Sequence, residues 1–315
     1  MPIPATQLPC AFDATPSTAV IVVSGDDAQR FLNAQLSRDV PVPGAAVAPL
    51  AAWHDAKGRV QAVFRVIGGE QVWLLTHTSV AAQVAAGLRR FVLRAKVGIE
   101  VAGDTCASAV ALGDCESLLG VEGIALEAVT AARADARGVH WIRLGRDCIQ
   151  LAGPATELER IRTRLGDAPP GAAELAQIRL GLPEVSAALQ GQFVPQMLNL
   201  DLLDGISFDK GCYPGQEVIA RTRNLGTVKR RMLRFTGDIE GRTPAPGSSL
   251  FDASGTSVGV VIRSARAERG LELLAVAQLD ASKQPLALGP TAEPALKLAT
   301  LPYAIAETVR TDPAD

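Results

Sequence analysis

The feature that most limits the fold is a hairpin followed by a helix, which occurs twice in the first 165 residues. In the first unit, residues 59–67 alternate between the two faces of a strand, Gly68-Gly69 turn the chain, and residues 71–75 return as a second strand. A helix is expected next, because apolar residues recur at helical spacing at Val80, Val84, Leu88 and Phe91. The same order returns between Trp141 and Leu165. The pattern predicts an α+β fold.

The sequence changes character after residue 228, where short strands are separated by Gly, Pro and Asp. The best of these strands cover residues 228–235, 257–262 and 271–279. We therefore predict two parts: residues 1–227, with an internal linker near residues 167–171, and a C-terminal domain of residues 228–315. The C-terminal domain is expected to be a small antiparallel β-barrel, with a sandwich as the alternative.

Charge and cysteine usage exclude several classes of protein. The formal net charge of −2 over 315 residues gives no global field that would concentrate nucleic acid or anionic lipid. No run of eighteen apolar residues and no signal peptide are visible, so we expect a cytoplasmic protein without membrane contact. Five cysteines without a C-x-x-C pair, and three scattered histidines, argue against a disulfide framework and a zinc site. Trp53-His54-Asp55 could supply a catalytic pair, but adjacent residues on an extended chain point in different directions, so it is interpreted as a surface turn before a strand.

The segment Lys210-Gly211-Cys212-Tyr213-Pro214-Gly215-Gln216-Glu217 is the candidate functional centre. Two glycines and a proline predict a tight turn that exposes Cys212. Gln216-Glu217 are expected to begin a short helix, whose N-terminal end favours a thiolate nearby, and the positive charge of Lys210 acts in the same direction. An unpaired cysteine is more often a small buried hydrophobe, but glycine, proline and charged neighbours are typical of an exposed turn. We predict that Cys212 is the reactive residue.

The motif KGCYPGQE, with LNLDLLDGISFD before it and VIARTRNLGTVKRR after it, resembles the YgfZ folate-binding proteins, relatives of the glycine-cleavage aminomethyltransferase, or T-protein. The order of the rest of the chain is similar as well, including Asp55-Ala56-Lys57-Gly58-Arg59 before a strand. The resemblance implies T-protein-like modules around a tetrahydrofolate pocket. It also implies an accessory role in maintaining iron–sulfur enzymes, including those that modify tRNA.

The resemblance also implies roles for individual residues. Cys212 matches the functional cysteine of the motif and is a candidate transient ligand for iron or sulfur, and we expect no resident metal. The motif residues that support it are Lys210, Gly211, Tyr213, Gly215, Gln216 and Glu217. The candidate folate-binding residues are Arg221, Arg223, Asn199 and Asp201. The expected partners are folate, iron–sulfur proteins and tRNA-modifying enzymes.

Two departures from the aminomethyltransferases leave catalysis open. Those enzymes carry an aspartate on the strand after the glycine turn, where this chain has Gln61 or Ala62 and no acid between Lys57 and Gly69. They also place a pterin-binding glutamate where this chain has Arg179, so Glu184 or Glu174 would have to replace it. A folate-dependent one-carbon transferase therefore remains the first alternative function.

An RNA-binding module is the second alternative, because cations are numerous near the motif. They are Arg221, Arg223, Lys229, Arg230, Arg231 and Arg234. A second cluster, Arg89, Arg90, Arg94 and Lys96, ends the predicted helix after Thr78. Either cluster could simply be a solvated face. The first could instead bind the glutamate tail of folate or tRNA phosphates.

Overall fold

The structure is a computed structural model that describes residues 10–15, 17–225, 228–293 and 295–305. Its strands are β1 (Cys10–Ala14), β2 (Thr18–Ser24), β3 (Leu50–His54), β4 (Val60–Ile67), β5 (Val72–His77), β6 (Gly98–Val101), β7 (Cys106–Gly113), β8 (Ala132–Ala134), β9 (His140–Gly145), β10 (Cys148–Pro154), β11 (Arg230–Gly237), β12 (Ser249–Phe251), β13 (Ser257–Arg266), β14 (Leu271–Gln278) and β15 (Lys297–Ala299). Its α-helices are α1 (Ala28–Asn33), α2 (Thr78–Arg89), α3 (Cys115–Glu122), α4 (Ala155–Leu165), α5 (Ala172–Arg179) and α6 (Gln216–Leu225).

The strands form three antiparallel sheets of five strands each. The N-terminal sheet has the order β3-β4-β5-β2-β6, the middle sheet β1-β7-β10-β9-β8, and the C-terminal sheet β12-β13-β14-β11-β15. Both predicted hairpin–helix units are present, as β4-β5-α2 and as β9-β10-α4. The α+β prediction is confirmed. The N-terminal and middle sheets are interleaved in sequence, because β1 precedes β2 yet pairs with β7.

The predicted C-terminal β-barrel is not confirmed, because the C-terminal sheet is open. Its two edge strands, β12 and β15, have three residues each, and each pairs with only one strand of the sheet. Closure is not needed to bury the sheet. Met232 and Leu274 pack on one face against Ile178, Leu198 and Ile219, whereas a separate apolar cluster covers the other face.

The predicted internal linker has definite neighbours in the structure. In the predicted linker, the Ala168 amide donates to the Phe12 carbonyl at 2.8 Å, and Phe12 in turn donates to the Gly166 carbonyl at 2.8 Å. This stretch therefore runs beside β1. The predicted boundary at residue 227 lies outside the described residues.

Strand β4 joins two cores because both of its faces are buried. Ala62, Phe64 and Val66 pack in one core with α2. Val60 and Val63 belong to a second core that also contains residues of the motif region and of the C-terminal sheet. The N-terminal sheet is thus in direct contact with the segment that carries Cys212. No helix among the described residues is long and apolar enough to cross a membrane.

Candidate functional site

Cys212 lies on an exposed turn four residues before α6, next to a buried tyrosine. Gly211 and Cys212 face solvent, whereas Tyr213 is only 6% exposed. The predicted exposure of Cys212 is confirmed. Because the neighbouring Tyr213 ring is packed in the core, the backbone that carries the Cys212 thiol is held in place.

The side chain of Lys210 points into the interior and holds the Cys212 turn in place. Its side chain is 2% exposed, its Nζ donates to the Leu36 carbonyl at 2.9 Å, and the Asp39 carboxylate lies 3.7 Å away. The ammonium also lies 5.6 Å from the centre of the Tyr213 ring. Burial lowers the pKa of Lys210. The lysine therefore ties the motif to the segment after α1.

Gly215 and Gly58 hold the motif against the turn that precedes β4. Both adopt positive φ, +79° and +71°, and a Cβ built on Gly215 would lie 2.5 Å from the Gly58 Cα. The Asp55 carboxylate organises that turn by accepting from the Lys57 and Arg59 amides, each at 2.9 Å. Only glycine permits this close contact of two backbones.

His54 and Tyr213 form a buried aromatic pair beneath the turn, with ring centroids 6.0 Å apart. His54 ends β3 and is 2% exposed, so its interpretation as part of a surface turn is wrong; the turn begins at Asp55. Burial lowers the pKa of His54 to about 3 and raises that of Tyr213 to about 12, so both are neutral at pH 7. Within the described chain, neither the imidazole nitrogens nor the Tyr213 hydroxyl has a hydrogen-bond partner.

The start of α6 carries the other motif residues. Gln216 reaches back to the Lys210 carbonyl, at 3.5 Å, and Glu217 pairs with Arg221 at 2.7 Å on the exposed face of the helix. The Arg223 guanidinium lies over the Phe208 ring, 4.0 Å from its centre. Arg221 and Arg223 thus lie near the motif on a surface open to solvent.

Asn199 and Asp201 occupy structural positions. Asn199 is fully buried and donates to the Met232 carbonyl at 2.7 Å. Asp201 forms a two-pronged ion pair with Arg231, at 2.6 and 2.9 Å. These contacts join the segment before the motif to β11, so a role in folate binding stays a prediction for both residues.

The cations after the motif do not form one free stripe. Arg231 is paired with Asp201, and Arg234 is paired with the buried Glu272 at 2.6 Å. Arg179 binds the same Glu272 at 2.7 Å. Half of the six cations are therefore paired, because Arg221 also binds Glu217, whereas no ion pair to the other three occurs among the described residues. The RNA-binding alternative at this place stays a prediction.

A polar cavity lies where the N-terminal sheet, the middle sheet and β13 meet. Its lining includes Arg65, Gln150, Gln177, Glu184 and Arg263. Burial lowers the pKa of Arg65 to about 10, and its Nε is buried without a partner among the described residues. The cavity volume is about 50 Å³, room for only a few water molecules.

The other cysteines differ from Cys212. Cys10, Cys115 and Cys148 are buried, and Cys106 is partly exposed with a pKa raised by burial. No group of three or more His, Cys, Asp or Glu side chains could hold a metal ion in the part of the chain that the structure describes.

Sequence reasoning missed His54 and the contact between Gly58 and Gly215. The turn before β4, which contains Gly58, and the Cys212 motif, which contains Gly215, could each be recognised in the sequence. Nothing in the linear order indicated that the two touch.

Comparison with known proteins extends the resemblance seen in the motif. The chain is 28% identical over 321 residues to the tRNA-modifying protein YgfZ of Klebsiella pneumoniae, covering 96% of both chains. It is 29% identical over 328 residues to the protein of the same name from Sodalis glossinidius, covering 98% of this chain and 97% of that one. No family model matches the chain.

Among solved structures, the chain resembles the glycine cleavage system aminomethyltransferase T from Bartonella henselae. The TM-score is 0.67 at 15% identity, over 88% of this chain and 80% of the other. The likeness confirms the T-protein-like fold. The predicted resemblance to YgfZ is confirmed over nearly the whole length.

Proposed function

We propose that this protein is a folate-binding accessory factor of tRNA modification that acts through the thiol of Cys212. The observation that carries the proposal is an exposed cysteine on a turn whose neighbours, Lys210 and Tyr213, are anchored in the interior. Support comes from the relatives named tRNA-modifying protein YgfZ, which match along nearly their full length.

The chemistry of a thiol suits an accessory role toward iron–sulfur enzymes. A thiolate is both a strong nucleophile and a soft ligand, so Cys212 could hold an iron or sulfur species briefly and pass it on. Burial keeps Cys10, Cys115 and Cys148 from a comparable role. The proposed partners are therefore iron–sulfur enzymes that modify tRNA.

The polar cavity at the junction of the sheets is the proposed folate site. Glu184 is its only carboxylate among the described lining residues, and a carboxylate suits the adjacent N–H donors of a pterin. The unpartnered Nε of Arg65 could donate to a pterin oxygen. The cavity, about 50 Å³, is much smaller than the roughly 300–1,000 Å³ of pockets that enclose small ligands, so the proposal requires its lining to open when folate enters. A bound tetrahydrofolate would supply a carrier for one-carbon units.

Titration calorimetry with tetrahydrofolate tests this site. Glu184→Gln should bind roughly tenfold more weakly, because it loses a charged acceptor worth about 1.4 kcal/mol. Glu159→Gln, on the exposed face of α4, is the matched control and should bind like the wild type. Polyglutamylated folate should bind more tightly, by no more than about 1 kcal/mol per added carboxylate. Absence of saturation up to millimolar folate would remove folate from the proposal.

Aminomethyl transfer is not expected of this chain. Strand β4 carries no acid, and the nearby Asp55 carboxylate already accepts two backbone amides. Formation of methylenetetrahydrofolate from an aminomethylated lipoyl carrier, at the rate of a true aminomethyltransferase, would reverse this conclusion.

The cellular role is tested by the modified nucleosides of tRNA. Cells that lack the protein should show a deficit of thiolated nucleosides by mass spectrometry, together with low activity of iron–sulfur enzymes. Restoring the wild-type chain should correct both. An unchanged nucleoside profile in the deletion strain would refute the proposed link to tRNA modification.

A further inference from the structure

The segment after α2, residues 90–97, displays cations and apolar side chains side by side. Phe91 is 49% exposed and Leu93 is 87% exposed, although the helical spacing had placed Phe91 on a buried face. Helix α2 ends at Arg89, so Phe91 lies beyond it. Arg90 and Arg94 flank the two apolar residues and are exposed.

The backbone that carries these side chains is held in place by packing and hydrogen bonds. Val92 and Val97 pack against the core of the N-terminal sheet. The Arg89 Nε donates to the Ile99 carbonyl at 2.8 Å, and the Lys96 amide donates to the Asp27 carboxylate at 2.9 Å. Because the segment is held at both ends, its exposed side chains lose little backbone freedom when a partner binds.

The charges near Phe91 are not balanced by neighbouring acids. Lys96 pairs with Asp26 at 3.2 Å, and Asp27 pairs with Arg30 at 3.4 Å. By contrast, no ion pair to Arg90 or Arg94 occurs within the described ranges. These two guanidinium groups, one before and one after Phe91 in the chain, therefore stay available, unlike those of Arg231 and Arg234.

We propose that Arg90, Phe91, Leu93 and Arg94 form a binding surface for a single-stranded loop of RNA. Unpaired bases stack on exposed aromatic faces, and arginines beside them bind phosphates and stack in their turn. The half-exposed ring of Phe91 leaves aromatic area on which a base could stack, and the exposed Leu93 adds apolar area two residues further on. A surface of anionic lipid is a less suitable partner, because segments that bind it typically carry about four to eight Lys or Arg residues, and this surface offers only Arg90 and Arg94. The surface contains no residue of the Cys212 motif, and its RNA binding does not depend on the proposed function.

Fluorescence anisotropy with a short labelled single-stranded RNA, without folate, tests this proposal. Phe91→Ala should bind about 5- to 100-fold more weakly, and Phe91→Leu should lose a similar amount because it keeps apolar area but no stacking face. Phe91→Trp should retain binding. Arg90→Gln and Arg94→Gln should each flatten the slope of log affinity against log salt by about 0.7. The exposed Arg242→Gln on the connection after β11 is the matched control and should change nothing.

Thermal melting first confirms that each variant is folded, which is expected because the substituted side chains are exposed. Saturable RNA binding with the stated order of variants supports the proposal. Three results would overturn it: no saturable binding by the wild type, wild-type affinity in Phe91→Leu, or binding to phosphatidylserine vesicles with no binding to RNA. Loss of the cellular role of Cys212 would leave this result intact, so the two proposals fail separately.

Discussion

Substituting Gly215 by alanine tests whether the motif depends on its contact with the turn before β4. The new Cβ would lie 2.5 Å from the Gly58 Cα and 2.8 Å from the Asp55 carbonyl oxygen, both backbone atoms that cannot move aside alone. Overpacking of this kind costs about 1–3 kcal/mol, and the left-handed φ of +79° adds about 1 kcal/mol. We expect a loss of roughly 2–4 kcal/mol. For cooperative unfolding of 315 residues, this lowers Tm by roughly 3–6 °C.

The matched control for this prediction is Gly211→Ala in the same motif. Gly211 is exposed and has no atom within 4 Å of a built Cβ, so its substitution should change stability by less than about 0.5 kcal/mol. Urea unfolding and thermal melting of the three proteins make the comparison. Equal stability of the Gly215 and Gly211 variants would refute the contact between the two turns.

Two further predictions concern buried groups. The folded pKa of His54, about 3, lies below its unfolded value of about 6.5, so stability is complete above pH 6.5 and falls as the pH decreases. Between pH 7 and 5 the wild type should lose about 2 kcal/mol more than His54→Leu in urea unfolding; equal losses would contradict the buried neutral state. Asp201→Asn should reduce stability by about 1–3 kcal/mol, because it leaves the largely buried Arg231 without its charged hydrogen-bond acceptor. An unchanged melting temperature would show that the pair contributes nothing.

Local patterns in the sequence were enough to predict the hairpins, α2, α4 and the exposed turn at Cys212. Alternation and helical spacing report on which face of an element is buried, and glycine and proline report on backbone shape. These are properties of residues close together in the chain. The motif at residues 210–217 also carried the resemblance to a family of known fold.

Contacts between distant segments could not be predicted in this way. Lys210 was expected to act on Cys212, yet its ammonium turns inward to the Leu36 carbonyl, a partner 174 residues away. Sheet closure likewise depends on which edge strands meet, and β12 and β15 do not. Phe91 is exposed because α2 ends at Arg89, before this residue. One further turn of helix would have placed its side chain on the same face as Leu88.

The most direct test of the central claim is replacement of Cys212 by serine, with melting and complementation measured on the same variant. The exchange of sulfur for oxygen at an exposed position should change stability by less than about 1 kcal/mol. Activity in a strain lacking the protein should nevertheless be lost, since a serine hydroxyl is neither a thiolate nor a soft ligand. Cys106→Ser is the matched control and should complement fully. Full complementation by Cys212→Ser, or loss of activity only through unfolding, would contradict the role assigned to this thiol.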